Sequence, residues 1–358
     1  MDIKKKEKNG FTLIEVLLIV AVFVILLAGS VSLVNNRVNQ EDLTYKVKQV
    51  ADMVAKAQNY SMTGYRDDVW GIKVLDSDSH CADSADCVVM YKGVIYSDRD
   101  ASFDQVVELS GTTGVYLEAS QVNEFYFAPS SGWLATTTGT STDQWIVLKS
   151  NFGDQKSVVV NTSGVTSIFS CGESQMFDDQ GNAYDTVKIG SQCWMAQNLN
   201  IGTMLASAAT DPTDNGLIEK WCNGDSSANC AVTGGLYHWD EAMGYVTTEG
   251  ARGICPAGWH IPSDSQLDIL EANYSSASDG TELKIGGSSG FNLLESNEMN
   301  TVTDTYDDAD ISALWSSTDN DAAPTEAYVH YTDTLTATMD ETSNSQAWGF
   351  SIRCLKNY

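Results

Sequence analysis

The sequence predicts an α+β protein with one long N-terminal helix, a domain of antiparallel strands, and a C-terminal mixed α+β domain. Three observations carry that expectation. An apolar run and then a helical stripe cover residues 11–63, with nothing strand-like between them. Short alternating runs separated by Gly, Ser and Thr fill 64–170. From 171 to 358 the composition changes, with six of the nine tryptophans and six of the eight cysteines. At 358 residues the chain also exceeds the usual single core of about 100 to 200 residues, so more than one folding unit is expected.

Charge removes one class of partner. Lys and Arg number 20 against 48 Asp and Glu, a net charge of −28, and nucleic-acid binding needs a basic footprint that is missing here. The acidity is concentrated: residues 171–358 hold 6 basic and 28 acidic side chains. Such a surface solubilises the C-terminal half. All eight cysteines follow the apolar run, which suits oxidised pairs in an exported region.

The first element is the apolar helix. Val16 to Val34 is a run of 19 uncharged residues, enough at about 1.5 Å per residue to cross a hydrocarbon layer of about 30 Å. Lys4, Lys5, Lys6 and Lys8 precede it, so residues 1–10 are expected in the cytoplasm, a membrane span over about 11–34, and the remainder outside. A cleaved secretory signal would have a shorter apolar region and no acid within it. An ordinary single-pass anchor accounts for everything except Glu15, since an acid at a membrane helix end is costly and marks a function.

Gly10-Phe11-Thr12-Leu13-Ile14-Glu15 resembles the processing site of type IV pilins and type II secretion pseudopilins. The resemblance implies cleavage between Gly10 and Phe11 by a prepilin peptidase, methylation of the new N-terminus, and then extraction by an assembly platform. Phe11 and Glu15 become the assembly determinants. A freed amine on Phe11 in apolar surroundings calls for a carboxylate, and Glu15 of a neighbouring copy supplies one. An incoming subunit at the wrong height would leave that acid buried and unpaired, so the charge sets axial register. The partners implied are other copies of the chain, or other pilins, in a helical filament, with the membrane as host before assembly.

Beyond the apolar run Leu43, Val47, Val50, Val54 and Ala57 recur at spacings of 4, 3, 4 and 3, one face of a continuing helix. Glu41, Lys48 and Lys56 occupy the other face, and Gly64 is the stop signal. Helix from Phe11 to Thr63 would be roughly 80 Å long.

In 64–170, "VWGIKVL", "CVVMYKGVIY", "EFYFAP", "WIVLKS" and "KSVVVN" read as strands of an antiparallel sheet or sandwich laid on the helix. "NEFYFAPSSGW" and "KSVVVNTSGVTSI" resemble the sheet of minor pilins and H-type pseudopilins. Cys81 and Cys87 are read as a local disulfide, with a metal site as the alternative and His80 as its one adjacent nitrogen ligand.

The third region opens at Cys171. "IPSDSQLDILEANY" places Ser263 and Gln266 in capping-box spacing before Leu267, Ile269 and Leu270, so a helix starts there. "LYHWDEAMGY" reads as a second, shorter helix, and the rest as strands, turns and loops that depend on tryptophan packing. "CWMAQNL" from Cys193, "GLYHWDEAM" from Gly235, "CPAGWHIP" from Cys255, "WSST" from Trp315 and "GFSIRC" to Cys354 together resemble the Fibrobacter succinogenes major paralogous domain, a family similar in fold to C-type lectin-like domains. Cysteine spacing leaves many pairings open. The resemblance implies Cys171 with Cys193, Cys222 with Cys230, and Cys255 with Cys354. Residues 291–313 depart from the family, where an aromatic, glycine-rich stretch is usual.

Catalytic signals are thin. Gly286-Gly287-Ser288-Ser289-Gly290 fits a nucleophile-elbow spacing, but no buried strand precedes it and no helix follows. His238, His260 and His330 are scattered, so no enzyme is expected. No cofactor is expected either; calcium is the candidate ion, at Asp307, Asp308, Asp310, Asp319 and Asp321, against a solvated acidic surface as the plainer reading. The function expected is a type IV pilus subunit carrying a lectin-like module for an unknown surface ligand. A secretion pseudopilin and a membrane-tethered surface binding protein are the alternatives. A single-pass precursor in the cytoplasmic membrane would become part of an extracellular filament.

Overall fold

One helix, α1 (Leu13–Thr63), spans 51 residues and organises the first half of the computed structural model. The structure describes residues 13–76, 78–79, 81–82, 86–109, 114–117, 124–136, 143–151, 153–307 and 311–357, and within 11–39 the side chains of Ile14, Leu17 and Leu18. The leader with Gly10, and Phe11, His80, Asp308 and Asp310, lie outside the described residues, as do the side chains of Glu15 and Asp307.

The predicted stripe is the buried face: Leu43, Val47, Val50, Val54 and Ala57 have no exposure at all. Each Val or Leu so buried contributes about 1.5–3 kcal/mol, which holds this half of the helix in the first domain. Gly64 ends it with φ +64°, a left-handed conformation that a side chain would strain.

Among the described residues nine strands follow, and most of them pack on that stripe. They are β1 (Trp70–Leu75), β2 (Cys87–Lys92), β3 (Gln105–Glu108), β4 (Val115–Leu117), β5 (Glu124–Phe127), β6 (Leu134–Ala135), β7 (Gln144–Ser150), β8 (Gln155–Val160) and β9 (Thr166–Ser170). One sheet runs β3-β2-β1-β5-β6 and the other β4-β7-β8-β9, with every pair antiparallel. Ile72, Val88, Met90, Phe125, Ile146, Leu148, Val158 and the α1 stripe share one core.

The run "CVVMYKGVIY" is strand only to Lys92, which corrects the reading of its second half. Gly93 turns the chain at φ +131°, and a 3-10 turn follows at Tyr96–Asp98. A polar knot holds that turn. Glu124 accepts from the Tyr96 N–H (2.6 Å) and the Tyr91 hydroxyl (3.0 Å), while Arg99 grips Asp104 (2.8 Å) with its guanidinium 3.5 Å from the Tyr96 ring centroid.

Residues 171–357 form small antiparallel units. Their strands are β10 (Met176–Phe177), β11 (Ala183–Tyr184), β12 (Thr186–Ile189), β13 (Gln192–Met195), β14 (Thr203–Met204), β15 (Glu219–Lys220), β16 (Tyr237–His238), β17 (Trp259–His260), β18 (Glu298–Asn300), β19 (Thr305–Asp307), β20 (Ile311–Asp319), β21 (Glu326–Asp333), β22 (Asp340–Ser345), β23 (Gly349–Phe350) and β24 (Leu355–Lys356). The helices are α2 (Ser227–Thr233), α3 (Trp239–Met243), α4 (Asp264–Glu271) and α5 (Asp279–Leu283). Sheets run β12-β13-β24-β17, β16-β23-β18-β19 and β20-β21-β22, while β14 and β15 pair in parallel.

Helix α4 starts on the predicted capping box, Ser263 accepting from Gln266 N–H and Gln266 reaching back to the Ser263 N–H. The helix read in "LYHWDEAMGY" begins only at Trp239, because Tyr237 pairs with Phe350 as a strand and the His238 ring caps the helix by accepting from Asp240 N–H. Trp194, Trp221, Trp239, Trp259 and Trp315 are all buried, their indole N–H groups spent on polar partners where burial requires it, as in Trp315 to the Tyr237 carbonyl at 2.8 Å. Arg353 is fully buried, with no acid beside it among the described residues. Its guanidinium lies 4.3 Å from the Phe291 ring centroid and donates to Asn198 (2.9 Å) and to the carbonyls of Phe291 and Asn292.

The two regions share a core. Trp145 and Phe169, from β7 and β9, pack edge-on in series with Trp259 at centroid distances of 5.7 and 5.9 Å. Lys356 completes the joint, its Nζ 3.8 Å from the Trp145 ring centroid and donating to the Gly258 carbonyl at 3.2 Å. A Cβ on Gly258 would come 2.7 Å from Trp145, at a backbone φ of +79°.

Cysteine pairs are Cys81–Cys87, Cys171–Cys193, Cys222–Cys230 and Cys255–Cys354. The last closes a separation of 99 residues, beside the pairing of Trp194 with Leu355 that joins the region's early and final strands. Replacing Cys255 and Cys354 together by alanine is expected to cost about 4–5 kcal/mol on the chain-entropy estimate, read as a lower denaturant midpoint. Gly258→Ala is expected to cost about 1–3 kcal/mol through backbone strain and displacement of Trp145, read as a lower Tm.

Candidate functional site

Near its N-terminus α1 presents apolar side chains outward. Ile14, Leu17 and Leu18 are 72%, 60% and 64% exposed. Positions 14, 17 and 18 fall on one face by i, i+3 and i+4 spacing, and Glu15 follows Ile14 directly in the sequence. Among the described residues nothing covers that face, and lipid or another helix would bury it. Among the described residues no helix is long and apolar enough to cross a membrane, and most side chains of the 16–34 run lie outside them.

Of the acidic candidates in the C-terminal region, the side chains of Asp319 and Asp321 alone are among the described residues. Asp319 ends β20 and Asp321 is exposed in the following turn, and neither joins a group of metal-ligating side chains among the described residues. Asp307 ends β19. Ser288 of the Gly-Ser loop hydrogen-bonds Glu282, and Ser289 accepts from Phe291 N–H, so neither hydroxyl faces a histidine. His260 bridges Asn357 (2.6 Å) and Gln266 (2.9 Å). The Cys81 and Cys87 sulfurs lie near Glu108 but are consumed in their disulfide.

The structure instead assembles a cluster that sequence reasoning missed. His330 on β21 has no exposure, and its ring spans two carboxylates of α4: Nε2 to Asp264 at 2.9 Å and Nδ1 to Glu271 at 2.6 Å. Asp264 and Glu271 are seven residues apart, two turns along one helix face. Glu341 stands beside His330 across the β21–β22 pair, and Asp268 is close by. Both ring nitrogens face acceptors, so the stable form is the imidazolium. Burial alone would lower the His330 pKa, but the hydrogen bonds and charges of Asp264 and Glu271 outweigh it and raise the value to about 9. The one available signal was an acid pair at i, i+7 on a predicted helix; its partner lies 59 and 66 residues away in sequence.

The comparisons with known families resolve the two ends separately. Residues 5–31 match the prokaryotic N-terminal methylation motif, and residues 187–356 match the Fibrobacter succinogenes major domain. The chain carries both modules. The N-terminal match supports a type IV pilin- or pseudopilin-like precursor, joined here to a Fibrobacter succinogenes major domain. No curated protein and no solved structure matches it.

The His330 ion pair gives this domain a pH dependence of known sign. A raised native pKa means the stabilisation is fully present below the unfolded value of about 6.5 and is lost as pH rises through about 9. Tm is therefore expected to fall between pH 6.5 and 9, and His330→Gln to flatten that part of the profile relative to wild type.

Proposed function

We propose that this chain is a structural subunit of a type IV pilus, with residues 171–358 displayed on the filament as a C-type lectin-like module for surface contact. The observation that carries the reading is the exposed Ile14, Leu17 and Leu18 face of α1 flanking Glu15, joined to the methylation motif over 5–31. In the membrane that face meets lipid, and in the filament it meets the same helix of other copies. Cleavage after Gly10 frees the Phe11 amine, and Glu15 of the adjacent copy neutralises it. Heterologous contacts of this kind repeat along an axis without closing, which produces a filament.

The rest of α1 supports the arrangement. Its stripe from Leu43 to Ala57 is buried in its own domain, so one rigid element links an assembling segment to a displayed one. A lectin-like architecture is supported by the pairing of β13 with β24 and by the Cys255–Cys354 bridge, which bring early and final strands of the module together. An anionic module of this size suits display on a long fibre better than service in a short secretion piston.

Filaments sheared from cells are expected to contain the chain beginning at a methylated Phe11. A surface form that retains the lysine leader would overturn the proposal. Glu15→Ala is expected to insert in the membrane normally and to reduce filament yield at least tenfold, measured by electron microscopy and by immunoblot of the sheared fraction.

A further inference from the structure

Lys220 is a buried lysine without an ion-pair partner among the described residues. It lies on β15, is 7% exposed, and both hydrogen-bond acceptors of its Nζ belong to Asn200: the side-chain Oδ1 at 2.7 Å and the main-chain oxygen at 2.5 Å. The lysine backbone is fixed by the parallel pairing of Met204 with Lys220 and by the neighbouring Trp221–Leu236 bridge. Its stem is packed as tightly: a Cβ on Gly235 would come 2.8 Å from Lys220 Cδ and 2.8 Å from the Tyr237 hydroxyl.

Asn200 is held from the other side. Its main-chain N–H donates to the Tyr184 hydroxyl at 2.9 Å, and that hydroxyl donates to Asp178 Oδ2 at 2.9 Å. Asp178, Tyr184 and Tyr237 are all buried. A buried amine and a buried carboxyl group are thus set beside tyrosine rings, with the half-buried carboxamide of Asn200 between them.

We propose that Lys220 and Asn200 become joined by an intramolecular isopeptide bond. The uncharged Nζ attacks Asn200 Cγ; the Nζ–Cγ bond forms, the Cγ–Nδ2 bond breaks, and Nδ2 leaves as ammonia with a proton taken from Nζ. No oxidant or co-reactant is needed. Asp178, whose charge acts on the Lys220 amine, is the carboxyl group near enough to carry that proton. Burial lowers the Lys220 pKa to about 8, so free amine is available near neutral pH. Proximity does the remaining work, because a nucleophile held against one carbonyl gains a large effective molarity. The bond would tie β15 to the segment after β13 and close the exposed loop between them. The inference concerns the folded C-terminal domain alone and stands whether or not the chain assembles into filaments.

Mass spectrometry of the exported chain, with its disulfides reduced, tests this directly. Trypsin cuts after Lys188, Lys220 and Arg252, so an unmodified chain gives fragments 189–220 and 221–252. The expected result is one fragment, 189–252, uncut at Lys220 and lighter by one ammonia, about 17 Da. Cleavage at Lys220 with full mass overturns the proposal, and so does an ammonia loss with normal cleavage, which marks a succinimide at an asparagine such as Asn215 before Gly216. Asn200→Ala is expected to restore cleavage at Lys220. Asp178→Asn is expected to leave Lys220 cleavable, and a bonded fraction equal to wild type removes Asp178 from the assignment. If either variant fails to fold, the wild-type fragment mass is decisive by itself.

Discussion

The burial of Leu43, Val47, Val50, Val54 and Ala57 against two sheets is the constraint on which the molecule is built. An isolated amphipathic helix of this length gains little from its own hydrogen bonds; tertiary packing of the apolar face supplies most of its stability. Because the stripe is consumed inside the first domain, the helix has a fixed orientation relative to β1–β9. Its N-terminal turns, with Ile14, Leu17 and Leu18 uncovered, are then presented in a direction the domain determines. The exposed apolar face and the first domain are thus joined by one helix.

The second coupling is aromatic. Trp145 and Phe169 belong to the first domain by strand pairing, yet they pack with Trp259 and Lys356 of the C-terminal region in a single core. Such a junction orders the two regions with respect to each other far better than a polar linker would. Lys356 suits the place because its stem packs among rings while its charge faces the Trp145 π-system and the Gly258 carbonyl.

Much of this was legible before any coordinates. Helical stripe, capping box and Gly64 stop are local signals, and local signals survive into the fold because short-range geometry sets them. Strands with strong alternation were visible too, whereas β3, β4, β6 and β9 were not, since two to five residues carry too little periodicity. The second half of "CVVMYKGVIY" misled because Val, Ile and Tyr favour strands in general; Gly93 and the Glu124 knot override that preference here. Long-range placements were the least legible. His330 reaches acids far away in sequence, Lys220 meets Asn200 across a loop, and Trp145 finds Trp259 across a change of domain, and no residue pattern encodes such distances. Cys81–Cys87 was legible from its short spacing, while the three later pairs came from family resemblance, which carries three-dimensional information that spacing lacks.

The pairing of Trp194 with Leu355, with Cys255 bonded to Cys354 beside it, has a mechanical consequence. Early and final strands of the C-terminal domain sit together, near the Trp145 joint. A pull along α1 therefore bypasses this domain. When the domain itself is pulled, the covalent bridge shortens the length of chain that can be drawn out, and force reaches the Trp145 joint with little intervening slack.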